Sequence, residues 1–366
     1  MTKTLFLVSN LDMGGIQRVT STIFHGLSER GNDVYLLNTS PRCDFYKINH
    51  SNYLKPRNDL RYLAMMVQNQ VKKITKTFKV NKAALYFLRK KLAMQKFDEI
   101  IVNPDFFDYF DIIRRECPDA KIYLWMHNIY DIYINQYFID RREHLFDIAR
   151  RCDGIICLEH YTRNRWRQYN KNAFIIHNPL TIIDDGVRSS LTAQTLCFTG
   201  RLVREQKGLD CLLDIASRLR DGWVINVAGD GPDRDWFVSE IQSRHLEKRI
   251  RLEGALKGDE LQRHYLNSSI AIMPSRWEGF GLTAVEAMSK GLPFVGFNIP
   301  AFEEVTDGGR YGLLSPVNDI DAMVGQINKL IDNEGLLKRY ASLSLARAQD
   351  FDLSKICERW EFEIID

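Results

Sequence analysis

The sequence predicts an α/β chain of two successive doubly wound units with mainly parallel sheets, and three observations predict it. The length of 366 residues corresponds to about two domains of 100–200 residues each. Short apolar runs of strand length alternate with amphipathic stretches of helix length along the whole chain. Each half opens on such a run, followed at once by a glycine-bearing turn.

In the first half the strand-like runs are Thr4–Ser9, Val34–Leu37, Glu99–Val102, Ile122–Met126, Gly154–Leu158 and Phe174–His177. Ile16–Arg30 and Arg141–Arg151 carry helical periodicity between them. A polar stretch, Asp184–Ser190, precedes a second series: Leu196–Thr199, Trp223–Ala228, Arg251–Glu253, Ile270–Met273, Leu292–Phe297 and Gly312–Leu314. The expected organisation is a first domain over residues 1–180 with an insertion at 42–97, a second over 190–348, and a final segment 349–366. No tandem repeat of 20–50 residues interrupts this pattern.

Hydrophobic residues at 45% and charged residues at 27% are ordinary for a soluble enzyme, and exclude a disordered, collagen-like or disulfide-stapled chain. The seven cysteines are scattered without a C-x-x-C pair, so neither zinc nor a disulfide framework is suggested. Reduced cytosolic thiols are the simplest reading. Leu5–Val8 is too short for a signal sequence, and no window reaches the roughly 18–20 apolar residues of a membrane span. A cytoplasmic protein is expected.

The net charge of +3 conceals an uneven distribution. Between Arg42 and Phe97 there are 14 Lys or Arg against two acids, while the remainder has 36 basic and 45 acidic residues. Within this segment Val71, Ile74, Phe78, Leu85, Leu88 and Leu92 fall at helical spacing, which predicts one or two amphipathic helices. Lys72, Lys73, Lys76, Lys79, Lys82, Arg89, Lys90 and Lys91 surround them and are candidates to meet an acceptor or an anionic membrane face. A solvated face on a core-packed helix accounts for the pattern equally well. Nucleic acid is not expected, because the stretch has no recognised nucleic-acid motif.

Three constellations carry the chemistry. The first is Pro274-Ser-Arg-Trp-Glu-Gly-Phe-Gly-Leu-Thr-Ala-Val-Glu-Ala-Met-Ser-Lys-Gly291, with Glu278 and Glu286 separated by seven residues. Thr283-Ala-Val-Glu286 has the spacing of a capping box, which predicts a helix from Thr283 whose N-terminal N–H groups, from Phe280 to Ala284, suit a phosphate. Taken alone, Glu286 is then a helix cap. The second is Gly200-Arg201-Leu-Val-Arg-Glu-Gln-Lys207-Gly208, directly after a strand, where ligands bind in such sheets. Arg201 and Lys207 offer a fork and a point charge for a diphosphate, or are ordinary surface charges. The third, Ala228-Gly229-Asp-Gly231-Pro232, closes a strand and opens a helix, and by itself is a weak nucleotide signal.

Together, G-R-x5-K-G, A-G-D-G-P and P-S-x-x-E-G-F-G-x4-E-A-M-x2-G resemble the retaining GT-B glycosyltransferases, the bacterial sugar-nucleotide enzymes that include glycogen synthase relatives and capsule and lipopolysaccharide transferases. The resemblance is close over Leu196–Asp319 and loose in the first half. It implies two Rossmann-like domains facing a cleft, an acceptor-side domain first and a nucleotide-sugar domain second, with a C-terminal helix, here Leu353–Ile365, crossing back to the first. It further implies that Arg201 and Lys207 bind the donor diphosphate and that Glu278 contacts the transferred sugar. Glu286 would bond the ribose, and the backbone of Phe280, Gly281 and Leu282 would support sugar and phosphate, with Gly229 and Gly231 lining the donor site. Gly15, in Met13-Gly14-Gly15, matches the family's glycine loop, and His127 the family histidine that contacts the donor sugar.

The chain departs from the family pattern at Gln17, where many relatives have Glu, and at Asn178-Pro179, where Asn-Gly is commoner. The pairs Asp233/Asp235 and Asp319/Asp321 read as first-turn helix acids and Asp350/Asp352 as loop residues, so no metal or other cofactor is expected. The resemblance implies a metal-independent, retaining hexosyltransferase or N-acetylhexosaminyltransferase for surface polysaccharide, using a UDP-sugar and a glycan or lipid-linked acceptor. Such an enzyme would work in the cytoplasm, peripherally on the inner membrane. A UDP-sugar 2-epimerase of the same fold and a non-enzymatic nucleotide-sugar sensor are the alternatives.

Overall fold

The computed structural model describes residues 2–42, 44–56, 62, 65 and 81–365. They form two compact units: Met1–Pro179 together with Leu353–Asp366, and Leu180–Asp352. Each is a parallel sheet with helices packed around it, the GT-B arrangement of two Rossmann-like units.

The first unit holds seven parallel strands. They are β1 (Lys3–Val8), β2 (Asp33–Asn38), β3 (Tyr53–Leu54), β4 (Glu99–Val102), β5 (Lys121–Trp125), β6 (Gly154–Cys157) and β7 (Ala173–Ile175), in the order β3-β2-β1-β4-β5-β6-β7. The Ile-Ile runs of β4 and β6 are buried at every residue, as expected where helices cover both faces of a sheet. The order reverses between β1 and β4, which opens a crevice beyond their carboxyl ends. Tyr53–Leu54 is too short to stand out in the sequence and is identified only by its pairing with Leu36 and Leu37.

Helix α1 (Gly15–Glu29) follows β1, and α2 (Lys82–Met94) lies in the basic segment and is capped by the Asn81 side chain. Ala83, Ala84, Phe87, Leu88 and Leu92 of α2 are buried, so this helix is bound to the core by its apolar face. Helix α3 (Phe110–Glu116) packs beside it. The carboxyl end of the chain completes the unit. Helix α7 (Leu353–Trp360) lies on α1, and Trp360 is fully buried 5.3 Å from Phe6 and 4.8 Å from Trp125. Arg30 and Glu361 pin its end with a two-pronged ion pair.

The second unit contains β8 (Thr195–Thr199), β9 (Val224–Ala228), β10 (Ile250–Gly254), β11 (Ile270–Met273), β12 (Phe294–Phe297) and β13 (Leu313–Ser315), ordered β10-β9-β8-β11-β12-β13. Its reversal falls between β8 and β11. The helices that matter below are α4 (Leu209–Ser217), α5 (Arg234–Ser243) and α6 (Leu282–Ser289). Among the described residues no helix is long and apolar enough to cross a membrane.

Two local expectations change. Asp350 lies in a 3-10 turn, Gln349–Phe351, rather than an open loop, and pairs with Arg347. The charges of the basic segment are also less bare than its sequence suggests. Arg89 pairs with Glu116 of α3, and Lys55 with Asp44. Lys90 and Lys91 lie over the rings of Tyr86 and Phe87 on the same helix. Lys72, Lys73, Lys76 and Lys79 fall outside the described residues.

Candidate functional site

In the second unit, the three glycine-rich constellations occupy neighbouring loops beyond β8, β9 and β11. The packing is backbone on backbone. A Cβ on Gly229 would stand 1.8 Å from the carbonyl oxygen of Gly200, so only glycine lets these loops meet. The N–H of Leu202 donates to Asp230 (3.0 Å), that of Asp233 to Leu202 (3.1 Å), and that of Arg204 to the Asp233 carboxylate (2.7 Å). Gly231 sits against the carbonyl of Leu202. Gly229 and Gly231 thus hold the Arg201 loop in shape.

Arg276 staples the other side. Its guanidinium forks onto Asp210 at 3.0 and 2.8 Å and donates to Asn318 at 2.7 Å, while its N–H donates to Gln206. Burial raises the Asp210 carboxyl, but the Arg276 fork outweighs it and holds it below its ordinary value. Nothing in the spacing of the motifs singled out Arg276, whose partners lie in other segments.

At the centre of these loops Lys207 Nζ lies 2.5 Å from Glu278 Oε1, with side chains only 13% and 9% exposed. Arg201 is exposed and has no ion pair among the described residues. The second unit therefore carries one ion-paired cation, Lys207, and one cation without an ion pair among the described residues, Arg201, in the loop that follows β8 at its topological switch point, where ligands bind in such sheets.

The capping-box reading of Thr283 and Glu286 is overturned. The helix begins at Leu282, and its N-cap is Gly281 in the left-handed region at φ 90°, with no side-chain cap. Thr283 consequently lies inside the first turn, its hydroxyl directed to Met273 Sδ at 3.6 Å. The N–H of Ala284 already donates to Gly281 (2.9 Å), which leaves Leu282 and Thr283 as the helix-opening groups without an intrahelical acceptor. Phe280 is buried against Phe351. Glu286 is fully buried; Oε1 accepts from Thr181 (2.7 Å) and Oε2 from Tyr265 (2.9 Å). Burial and the neighbouring Glu286 push the Tyr265 phenol well above its ordinary value, so it remains a proton donor. Neither Thr181 nor Tyr265 belongs to a motif.

In the first unit, Gly15 opens α1 beyond β1, and His127 follows β5. The His127 ring lies 4.3 Å from that of Trp125 and bonds Asn103, the residue after β4. Its burial pushes the imidazole down to about 3, so it is neutral at physiological pH. Among the described residues no group of three or more His, Cys, Asp or Glu is placed to hold a metal ion.

Residues 183–344 match the model of glycosyl transferases group 1. The chain is 25% identical to an uncharacterized glycosyltransferase of Haemophilus influenzae over 99% of both chains. It is 24% identical to the amylovoran biosynthesis glycosyltransferase AmsD of Erwinia amylovora, over 98% of this chain and 99% of the other. A stretch of 162 residues, 41% of this chain and 45% of the other, is 36% identical to the lipopolysaccharide core biosynthesis mannosyltransferase LpsB of Rhizobium meliloti. In fold it is similar to S. aureus TarM, solved with UDP and alpha-GlcNAc-glycerol (TM-score 0.77, 15% identity, 99% of both chains). It is likewise similar to Anabaena HepE, solved with UDP and glucose (TM-score 0.75, 16% identity, 98% of both chains). Residues 183–344 therefore form a glycosyl transferases group 1 domain, and the chain that carries it is a glycosyltransferase of GT-B fold.

Proposed function

We propose that this enzyme is a retaining, metal-independent transferase that moves a sugar from a UDP-sugar to a glycan or lipid-linked acceptor of bacterial surface polysaccharide. The observation that carries the reading is the presence of exposed Arg201 and of the buried Lys207–Glu278 couple on neighbouring loops fixed by Gly229 and Arg276. UDP in the TarM and HepE structures supports the nucleotide, and the names of AmsD and LpsB support the pathway class.

On this reading Arg201 and Lys207 take the donor diphosphate and stabilise charge as the bond from C1 to the phosphate oxygen breaks. The acceptor oxygen bonds C1 on the same face, and its proton passes to the departing phosphate oxygen. No side-chain general base is assigned. The two cations supply the charge for which other enzymes use a divalent ion. Glu278 orients Lys207 and reaches the transferred sugar. Peripheral contact with the cytoplasmic face of the inner membrane belongs to the same proposal, supported by the exposure of Arg89 and Lys90 on α2.

The test is transfer from a UDP-sugar of known anomeric configuration with and without a chelator. An unchanged anomeric configuration and undiminished turnover support the proposal. An inverted product overturns retention, and activity lost to the chelator and restored by magnesium overturns metal independence. Sedimentation with anionic and neutral vesicles tests the membrane assignment, which equal, negligible binding would sink.

A further inference from the structure

Lys207 and Glu278 both stand on short or irregular backbone. Strand β8 ends at Thr199 and β11 at Met273, before either residue is reached. Lys207 closes the four-residue helix Arg204–Lys207, and Glu278 lies in the loop between β11 and α6. A lysine is a point charge on a flexible stem, so its ammonium is placed only as well as the backbone beneath it.

Arg276 holds these two segments together. Its backbone N–H donates to the Gln206 carbonyl (2.8 Å) and its Nη1 to the Glu205 carbonyl (3.1 Å), near the end of that short helix, where carbonyls lack intrahelical donors. The rest of the guanidinium is anchored elsewhere. Nη1 and Nη2 meet the two oxygens of Asp210 at the start of α4, Nη2 also meets Cys211 Sγ (3.2 Å), and Nε meets Asn318 Oδ1 beyond β13. Every N–H donor of the fork is thereby engaged. Between residues 204–208 and 274–278, the other described hydrogen bonds are Arg276 Nη1 to the Arg204 carbonyl and Gln206 Nε2 to the Trp277 carbonyl, both at 3.5 Å, and the Lys207–Glu278 pair itself. Gly208 completes the contact: at φ 62° it lies so close to Pro274 that a Cβ would stand 2.0 Å from that carbonyl oxygen.

We propose that Arg276 is a positioning residue for the transfer: by clamping the turn of Lys207 to the loop of Glu278, it presents the Lys207 ammonium at a fixed point to the departing phosphate. Arg276 acts through Lys207, because its own donors are already taken by protein acceptors. The proposal rests on the transferase reading for the phosphate; the clamp on the Lys207–Glu278 couple stands without it. A lysine in place of Arg276 keeps a charge opposite Asp210 but loses the planar fork that reaches Asp210, Glu205 and Asn318 at once.

Two measurements on the full chain test this. The first is the coupling between Lys207 and Glu278 in urea unfolding, from the single and double methionine variants, with Arg276 present and in Arg276→Lys. Read as a ratio of unfolding constants, the coupling should be at least about tenfold smaller in Arg276→Lys. An unchanged coupling overturns the proposal. The second is nucleotide release from a UDP-sugar. Arg276→Lys should lower kcat about 10- to 100-fold and shift KM by less than about threefold, because a misplaced Lys207 fails mainly as charge develops on the leaving group. Asn318→Gly removes the Nε acceptor and suits the φ of 65° at that position, and should move coupling and kcat in the same direction by at least about threefold. Should Arg276→Lys lose its thermal melt, Asn318→Gly decides both measurements. A rise in KM alone, or an unchanged kcat in the folded variants, overturns the proposal. No nucleotide release by the wild-type chain sinks the transferase reading, and the coupling then decides the clamp alone.

Discussion

The Nε2 atom of His127 lies 2.6 Å from the amide oxygen of Asn103, and Asn103 cannot turn away. Its amide nitrogen donates to the Leu7 carbonyl (2.9 Å) and the Thr20 hydroxyl (3.2 Å), all within the buried interior. The oxygen facing His127 can only accept, so this network puts the ring proton on Nε2 and leaves Nδ1 a lone-pair acceptor. A single asparagine at the end of β4 thereby joins the ends of β1 and β5.

Nitrogen-15 NMR should therefore find His127 as the neutral Nε2–H tautomer from neutrality down to about pH 4, since burial pushes its pKa down to about 3. Asn103→Leu should abolish the tautomer preference and cost about 1–3 kcal/mol in urea unfolding, the cost of unsatisfied buried groups. An unchanged ring spectrum in that variant would contradict the network.

The Lys207–Glu278 couple makes a second prediction. With side chains 13% and 9% exposed, each member compensates a charge that water scarcely reaches. Lys207→Met should destabilise the chain by about 3–5 kcal/mol, and the double variant Lys207→Met/Glu278→Met should recover most of that loss. Additive losses in urea unfolding would show that the two groups act independently.

Glu99 predicts a pH dependence of stability. It opens β4 at 2% exposure, and burial raises its carboxyl to about 7 against the lowering effects of Thr4 and Lys121. Between the ordinary value of 4.5 and about 7 the folded chain binds more protons than the unfolded one. The favourable contribution of the protonated group is thus full below pH 4.5 and is lost as pH rises through 7. Glu99→Gln should raise stability at pH 8 by up to roughly 3 kcal/mol and flatten the profile in that window. Parallel profiles for variant and wild type would refute this.

Much of this architecture is legible in the sequence because parallel strands buried on both faces leave apolar runs bounded by glycine and charge, as in Glu99–Val102 and Ile270–Met273. The glycine-rich loops were legible for a related reason, since contacts such as Gly229 on Gly200 tolerate no Cβ. Where spacing misleads, a competing local rule prevails. Thr283 and Glu286 have capping-box spacing, but Gly281 in the left-handed region starts the helix earlier and removes Thr283 from the cap. Glu286 is then free to serve Thr181 and Tyr265. Asn103 and Arg276 are illegible because their partners are brought together by sheet order, across about 66 to 96 residues of sequence in the Arg276–Asp210 and Asn103–Leu7 contacts. The basic segment misleads in the other direction, because Glu116, which pairs with Arg89, lies outside residues 42–97.

The proposed transfer depends most on Arg201, in the loop after β8, which on this reading stabilises a nucleotide diphosphate as it leaves. The most direct test is the release of free nucleotide from a panel of UDP- and GDP-sugars by the wild-type chain and by Arg201→Ala. Slow release of UDP by the wild type is expected, with a fall of about 100- to 1,000-fold in the variant at unchanged thermal stability. Isomerised donor without release, or near-normal release by Arg201→Ala, would contradict it.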